Sequence, residues 1–455
     1  SFSSCHSRFL NYSGSEYRNM NTTELKNSID LKQVGKEMYS LIAELYPICR
    51  SITGNGFRQT LHRLQRIIPL TIHEVPSGMQ VFDWTVPKEW NIRDAYIKNS
   101  AGQRVVDFQK SNLHVVNYSV PIRKKMTSAE LKGHIFTLPD HPDWIPYRTS
   151  YYKEDWGFCL SHNQLAILND AEYEVCIDSS LKDVYLTYGE YYIKGSTQDE
   201  FLISCHTCHP SLCNDNLSGI SLAALLARSL SPLSVRYSYR FLFIPGTIGS
   251  ITWLALNEGI TAHIKNGLVV ACVGDPGKTT YKKSRQTDAG IDKTVLYVLK
   301  ESGREYEVID FHPYGYDERQ YCSPGFDLPV GCLMRTPHGR YPEYHTSADN
   351  LSLVKPEFLE DSFSKYLAVI DITENNRRYV NQNPKCEPQL GKRGLYETIG
   401  GRNDSAIRQL AMLWVLNLSD GHHSLLDIAE RSCLRFELIQ NAAEVLTKHD
   451  LLIEC

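Results

Sequence analysis

Phe201-Leu-Ile-Ser-Cys-His-Thr-Cys-His-Pro-Ser-Leu-Cys-Asn-Asp-Asn-Leu-Ser-Gly219 is the stretch on which the fold turns. It opens with three apolar residues, Phe201 to Ile203, as a buried strand does. His206 and His209 then stand where that strand should end. Asn214, Asp215 and Asn216 fall in the loop ahead of a helical apolar run from Ile220 to Leu230. Ligands of open α/β sheets sit beyond the carboxyl ends of strands, so a strand-end His and a pre-helix Asp can meet at one point. Imidazole with carboxylate is a donor set suited to zinc. Taken one at a time, each of these residues reads as an ordinary loop residue. Cys205, Cys208 and Cys213 offer thiolates instead, but Cys205 and Cys208 lack a second pair at zinc-finger spacing.

On either side, short apolar runs alternate with helical patterns. Tyr173–Asp178, Tyr185–Ile193, Tyr239–Pro245, Gly267–Val273, Thr294–Leu299 and Leu328–Met334 read as strands. Val34, Met38, Leu41, Ile42 and Leu45, then Leu61, Leu64 and Ile67, are spaced as two helices. Ile251–Glu258 and Pro356–Asn375 read as further helices. The alternation predicts an α/β fold with a mostly parallel sheet and helices on both faces. Residues 27–75 and 161–380 form this domain. Residues 76–160 carry β-like runs split by turns, and are expected to be an inserted β-rich domain. Aromatics are dense from Trp144 to Phe158, and a substrate-facing wall is one reading of them. Residues 1–26 are expected to be a flexible tail. Arg377–Arg402 reads as a linker, and 385–455, with three helical segments and a short wing at Leu451–Glu454, as a winged helix-turn-helix domain.

Two segments resemble known families. His206 followed by Asn-Asp-Asn-Leu-Ser-Gly resembles the metal-binding core of the M28-like zinc aminopeptidases. Ser-Cys-His-Thr-Cys-His-Pro-Ser and Tyr316-Asp-Glu-Arg-Gln-Tyr-Cys-Ser-Pro-Gly325 are similar to a bacterial family of aminopeptidase-like proteins with an inserted domain and a C-terminal winged helix. The resemblance implies a zinc-exopeptidase-like fold, one or two zinc ions, and hydrolysis of a peptide or amide bond. It also implies metal ligands at His206, Asp215, Asp275 and His345, with Asp349 as a companion. Asp215 would bridge if two ions bind, since a carboxylate has two oxygens to share.

One position departs from the pattern. The aminopeptidases place a Glu pair after the strand equivalent to Tyr239–Pro245, one Glu as general base. Here Gly246 stands there, and glycine can neither take a proton nor bind metal through a side chain. Glu301, Asp317 and Glu318 are the carboxylates that could replace it. A single-ion site with His209 as third ligand is a second resolution, and loss of hydrolysis a third. Restoring the carboxylate by Gly246→Glu should raise activity unless one of those carboxylates already fills the role. Arg319 and Arg335 are candidates to grip a substrate carboxylate. The functional reading is a zinc-dependent aminopeptidase-like hydrolase of a small peptide or amino-acid conjugate. The alternative is a non-catalytic metal-binding or regulatory protein that assembles through its winged helix.

Composition bounds these readings. The 455 residues are 42% hydrophobic and 22% charged with net charge -4, which suits a globular chain of two or three domains and gives no polyanion affinity. Between Lys385 and Cys455 eight Lys/Arg face ten Asp/Glu. The would-be recognition helix carries Glu437 and Glu444, against DNA reading and in favour of packing or homo-oligomer formation. No apolar run nears the roughly 18 residues of a membrane span. The thirteen scattered cysteines and a polar N-terminus without a leader pattern fit a cytoplasmic protein with reduced thiols.

Overall fold

The structure, a computed structural model, describes residues 20–395 and 403–455. Two compact units emerge. The first comprises residues up to 293 and 303–366, the second 294–302 and 367–455.

The first unit is built on an eight-stranded sheet. Its centre is the strand Glu200–His206, every residue of which is buried. Ser238–Ile244 and Ile264–Val270 run parallel on its two sides. Val330–Met334 extends the parallel core beyond Ile264–Val270. At one margin Tyr185–Ile193 joins antiparallel and Thr71–Pro76 pairs antiparallel with it; at the other Thr279–Lys282 joins antiparallel and Tyr306–Ile309 pairs parallel with it. Strands buried on both faces need continuous apolar sequence, which Phe-Leu-Ile and Tyr-Arg-Phe-Leu-Phe-Ile supply. The buried Glu200 survives there because Arg240 of the neighbouring strand grips both of its oxygens at 2.7 Å. The helix Gly219–Leu230 is apolar almost all round, with Ile220, Leu222, Leu225, Leu226 and Leu230 buried. The helix Leu31–Leu45 buries one stripe: Val34, Met38, Leu41, Ile42 and Leu45.

Several expectations need correction. The strand Glu172–Lys182 does not feed the large sheet. It pairs antiparallel with Glu89–Lys98 and Ile122–Thr127 in a separate four-stranded sheet. The insertion therefore runs from Ser77 to Val184, between the paired margin strands, and not from 76 to 160. It has its own core of Ala95, Ile97, Val106, Phe158, Val175 and Ile177. Thr294–Leu299 is not a strand but part of the helix Gly290–Glu301. Its β-branched composition suggested a strand, while the buried residues Ile291, Val295 and Leu299 recur every four. Of the expected tail, residues 1–19 lie outside the described part. Thr22–Ser28 is a helix, closed by reciprocal hydrogen bonds between Asn21 and Glu24.

In the second unit, helices Asn403–Leu418, Leu425–Ser432 and Phe436–Lys448 accompany a three-stranded sheet of Arg378–Asn381, Asp420–Ser424 and Leu452–Glu454. This is a winged helix. Its first strand lies within the expected linker, because Tyr379 and Asn381 turn buried side chains inward at alternate positions. Among the described residues no helix is long and apolar enough to cross a membrane.

Candidate metal centre

The central strand delivers His206 at its carboxyl end, and a tight segment, Cys213–Ser218, carries Asp215 to meet it. Asp215 is fully buried. Its Oδ1 lies 2.6 Å from His206 Nε2, and its Oδ2 lies 2.9 Å from His345 Nε2 and 3.6 Å from His209 Nε2. One carboxylate thus collects three imidazoles. Ligand atoms of His206, His209 and Asp215 all fall within 4.8 Å of one another.

The surrounding sequence fixes that carboxylate. Asp349 accepts from the backbone N–H of Asn214 at 2.6 Å and of Asp215 at 2.9 Å. Asn216 donates to the carbonyls of Val270 and His206, and Asn214 accepts from Gly274 N–H. The two asparagines therefore tie the loop to the end of the next strand. Gly219 is required by close approach, since a Cβ there would lie 2.4 Å from Asn216 Oδ1 and 2.6 Å from the Val270 carbonyl.

His209 is held from three sides. The buried Arg50 donates through Nε to the His209 carbonyl at 2.9 Å. Cys208 Sγ lies 3.3 Å from His209 Nδ1, leaving Nε2 toward Asp215. Tyr147 of the insertion packs against its ring at 5.1 Å. Burial pushes the His209 imidazole down to about 3, so it is neutral, the form that ligates metal. Burial also opposes the charge on Asp215, but His209 and His206 beside it hold its carboxyl well below the usual range. Burial works against a cationic His206 too, and the neighbouring Asp215 outweighs it and raises the imidazole.

Tyrosines wall the centre. Tyr316 stacks on His206 at 4.8 Å, Tyr344 on His345 at 3.9 Å, and Tyr147 meets His345 edge-on at 5.0 Å. The insertion reaches the site through its backbone as well, Tyr147 N–H donating to the His345 carbonyl at 2.8 Å. His345 adopts a left-handed backbone conformation, φ 55°, that non-glycine residues seldom take. Nothing in sequence spacing pointed to Arg50, Tyr147 or Tyr344. The aromatic density from Trp144 to Phe158 was the only signal for Tyr147.

The other expected residues fall elsewhere. Asp275 does not join the cluster: its oxygens accept from Asn214, Gly277 N–H and Thr336, so it ties down a turn. Glu301 is exposed at the end of the helix Gly290–Glu301, in the second unit. Glu318 is buried in an ion pair with Lys282 at 2.8 Å. Arg335 is already paired with Asp361 at 2.6 Å, a partner it shares with Lys365. Arg319 lies over the Tyr314 ring at 5.6 Å. Glu318 Oε2 also lacks a hydrogen-bond partner, but Asp317 differs in what its free oxygen faces. Asp317 is fully buried, accepts from Ser250 Oγ at 2.7 Å through Oδ1, and leaves Oδ2 without a hydrogen-bond partner. That Oδ2 lies 3.4 Å from the point where a Cβ on Gly246 would stand, and His206 Cβ lies 3.0 Å from the same point.

Comparison with known proteins agrees with this architecture. Residues 39–376 match the family described as Domain of unknown function (DUF4910), and residues 377–454 match a winged helix-turn-helix family. The chain belongs to the DUF4910 family. A Clostridium acetobutylicum protein provisionally named a polysaccharide biosynthesis protein with aminopeptidase-like domain is 57% identical over 420 residues, 92% of this chain and 96% of its own. A crystal structure of a provisionally named peptidase from Clostridium acetobutylicum superposes with a TM-score of 0.90 at 54% identity, covering 96% of this chain and all of that one. The zinc aminopeptidase BSAP of Bacillus subtilis gives 0.54 at 13% identity, over 74% of this chain and 94% of its own, a likeness of fold. This DUF4910 chain is thus an aminopeptidase-like α/β protein with a C-terminal winged helix.

The donors of the centre suit zinc: three imidazoles and one carboxylate, with His206 and Asp215 buried, His209 half-buried and the His345 side chain 32% exposed. His206, His209 and Asp215 form a set of three, and His345 reaches the same Asp215 carboxylate. The oxygens of Asp275 and Asp349 are committed to hydrogen bonds.

Proposed function

We propose that this protein is a zinc-dependent hydrolase of a peptide or amide bond, working with one ion and with Asp317 as proton acceptor in place of the missing residue at 246. The observation that carries this reading is the unpartnered Asp317 Oδ2 facing the space a Gly246 side chain would fill. His206, His209, Asp215 and His345 would hold the ion. Zinc in such a site polarises a carbonyl and makes water acidic enough to attack near neutral pH. The chain's own groups do the rest. Asp317 Oδ2 takes the proton of the attacking water, and the same carboxyl returns it to the leaving amine as the C–N bond breaks. Ser250 holds Oδ1, so only Oδ2 is free for that exchange. Tyr316, Tyr344 and Tyr147 shield the imidazoles from bulk water.

The substrate we favour is an amino-acid conjugate of a biosynthetic intermediate, a choice supported by the name of the Clostridium acetobutylicum relative. A small peptide is the simpler form of the same substrate. We place the protein in the cytoplasm and assign the winged helix to assembly with a second copy, not to DNA. The alternative, a metal-binding protein without catalysis, is favoured by Gly246 alone. Zinc analysis together with turnover of a panel of aminoacyl amides tests the proposal. We expect one zinc per chain and turnover that Asp317→Asn lowers about 10²–10⁴-fold. Two ions per chain, or turnover indifferent to Asp317→Asn, would defeat it. Inertness of both forms toward the panel would favour the alternative.

A further inference from the structure

A second site lies at the root of the insertion. The hairpin of Gln80–Val81 and Trp84–Thr85 pairs Val81 with Trp84 across a Phe82-Asp83 turn. Val81 and Val86 are buried and anchor it. The tip does the opposite: Phe82 is 46% and Trp84 43% exposed. Single exposed aromatics are ordinary, but neighbouring ones on one surface mark a place where something binds. Each has an aromatic neighbour. Tyr152 meets Trp84 edge-on at 5.4 Å, and Phe326 meets Phe82 at 5.7 Å.

Between this tip and the helix Ile248–Leu256 lies a cleft of about 380 Å³, within the range of small-molecule sites. Trp84, Phe82 and Phe326 supply its aromatic lining, with Ile251 and Leu254 behind them. Its polar groups are Asp83, Glu258, Gln320 and Ser323, and among the described residues no Lys, Arg or His lines it. That lining excludes two ligand classes. An anion such as a phosphate would meet two carboxylates and no cation. A wholly apolar ligand would desolvate Asp83 and Glu258 without giving them partners. A sugar ring satisfies both halves. Its C–H face packs on an indole, and its hydroxyls donate to carboxylates and exchange hydrogen bonds with an amide and a serine.

We infer that this cleft binds a neutral hexosyl unit, stacked on Trp84 and hydrogen-bonded by Asp83 and Glu258. Gln320, which lines the cleft, donates to Thr247 Oγ1 at 3.3 Å, so the cleft adjoins the Gly246 segment of the metal centre. Binding here requires neither zinc nor hydrolysis.

Saturation-transfer NMR and calorimetry on the full chain, with the methyl glycosides of glucose, galactose and N-acetylglucosamine, test it. At millimolar concentration at least one glycoside should bind, and Trp84→Ala should weaken it about tenfold or more through the lost aromatic contact. Glu258→Gln, an exposed change that spares the core, should weaken it less, and chelation of zinc should leave it unchanged. The inference is overturned if none of the three glycosides binds, or if Trp84→Ala leaves binding intact. Loss of binding on chelation would place the sugar at the metal centre and overturn it too, as would binding of lysinamide in place of the glycosides. None of these outcomes depends on turnover, so the hydrolase proposal stands or falls separately.

Discussion

Replacing Asp317 by Asn should trade activity against stability with a definite pH signature. Burial raises the Asp317 carboxyl from 3.8 to about 6. In the folded, metal-free protein it therefore keeps its proton to higher pH than in the unfolded chain. A carboxylate raised in this sense contributes no penalty below about pH 3, where both states are protonated. As pH climbs to 6 the unfolded state gives up its proton first, and folding loses stability. At 1.36 kcal/mol per pH unit the loss above pH 6 is about 3 kcal/mol. Asn carries no such cost. Its oxygen can keep the hydrogen bond from Ser250 Oγ, while its amide takes the place of Oδ2, which has no partner. That unmet amide costs about 1–3 kcal/mol at every pH. The stability difference between the two proteins should thus move in favour of Asn by about 3 kcal/mol from pH 3 to pH 7, with the buried amide only offsetting the whole curve. Urea denaturation of chelated protein across that range measures it. Turnover of the zinc-loaded Asp317→Asn variant should fall about 10²–10⁴-fold. A stability difference flat with pH would show that Asp317 is not held protonated by burial, and retained turnover would show that it is not the proton acceptor.

Gly246→Glu should bring no gain in an otherwise unaltered chain, because the new Cβ presses on His206 Cβ at 3.0 Å and its carboxylate arrives beside Asp317 Oδ2. In the Asp317→Asn background the same change should restore part of the lost turnover, and steady-state kinetics of the double variant decide this. Asp215→Asn should lower zinc affinity more than His209→Ala, since Asp215 touches three imidazoles and His209 one carboxylate; competition with a fluorescent chelator measures both. Lys282→Met strands Glu318 in the core and should cost about 3–5 kcal/mol, read as a lowered thermal midpoint.

The order of the site was legible because its first half is local. His206 ends a strand whose apolar run is unmistakable, and Asp215 lies nine residues on. His345 depended on resemblance, since no local pattern separates it from the other histidines. Asp275 misled for a physical reason: an Asp after a buried strand looks the same whether it faces an ion or closes a turn, and here Thr336 and Gly277 claim its oxygens. Asp317 stood among three candidates that charge alone could not rank. Burial separates it from the exposed Glu301. Glu318 is equally buried and also leaves one oxygen without a hydrogen-bond partner, so what sets Asp317 apart from it is the Lys282 ion pair of Glu318 and the approach of Asp317 Oδ2 to the Gly246 position, and those are properties of packing. The strand Glu172–Lys182 was assigned to the wrong sheet because alternation announces a strand without naming its neighbour.

The hydrogen bond from Tyr147 to the His345 carbonyl, with Arg50 braced on His209, has a consequence for how the protein is made. The centre gathers residues from 50, 147, 206–215 and 345, a span of nearly three hundred positions, and contacts so distant in sequence form late. During synthesis, His206, His209 and Asp215 leave the ribosome long before His345 does. A nascent chain ending short of residue 345 can offer those three donors but neither the fourth nor its backbone clasp on the insertion. Under the proposed one-ion reading, zinc held by such a chain would exchange freely, and firm retention would begin only when the polypeptide had passed His345, so metal retention would mark a completed centre.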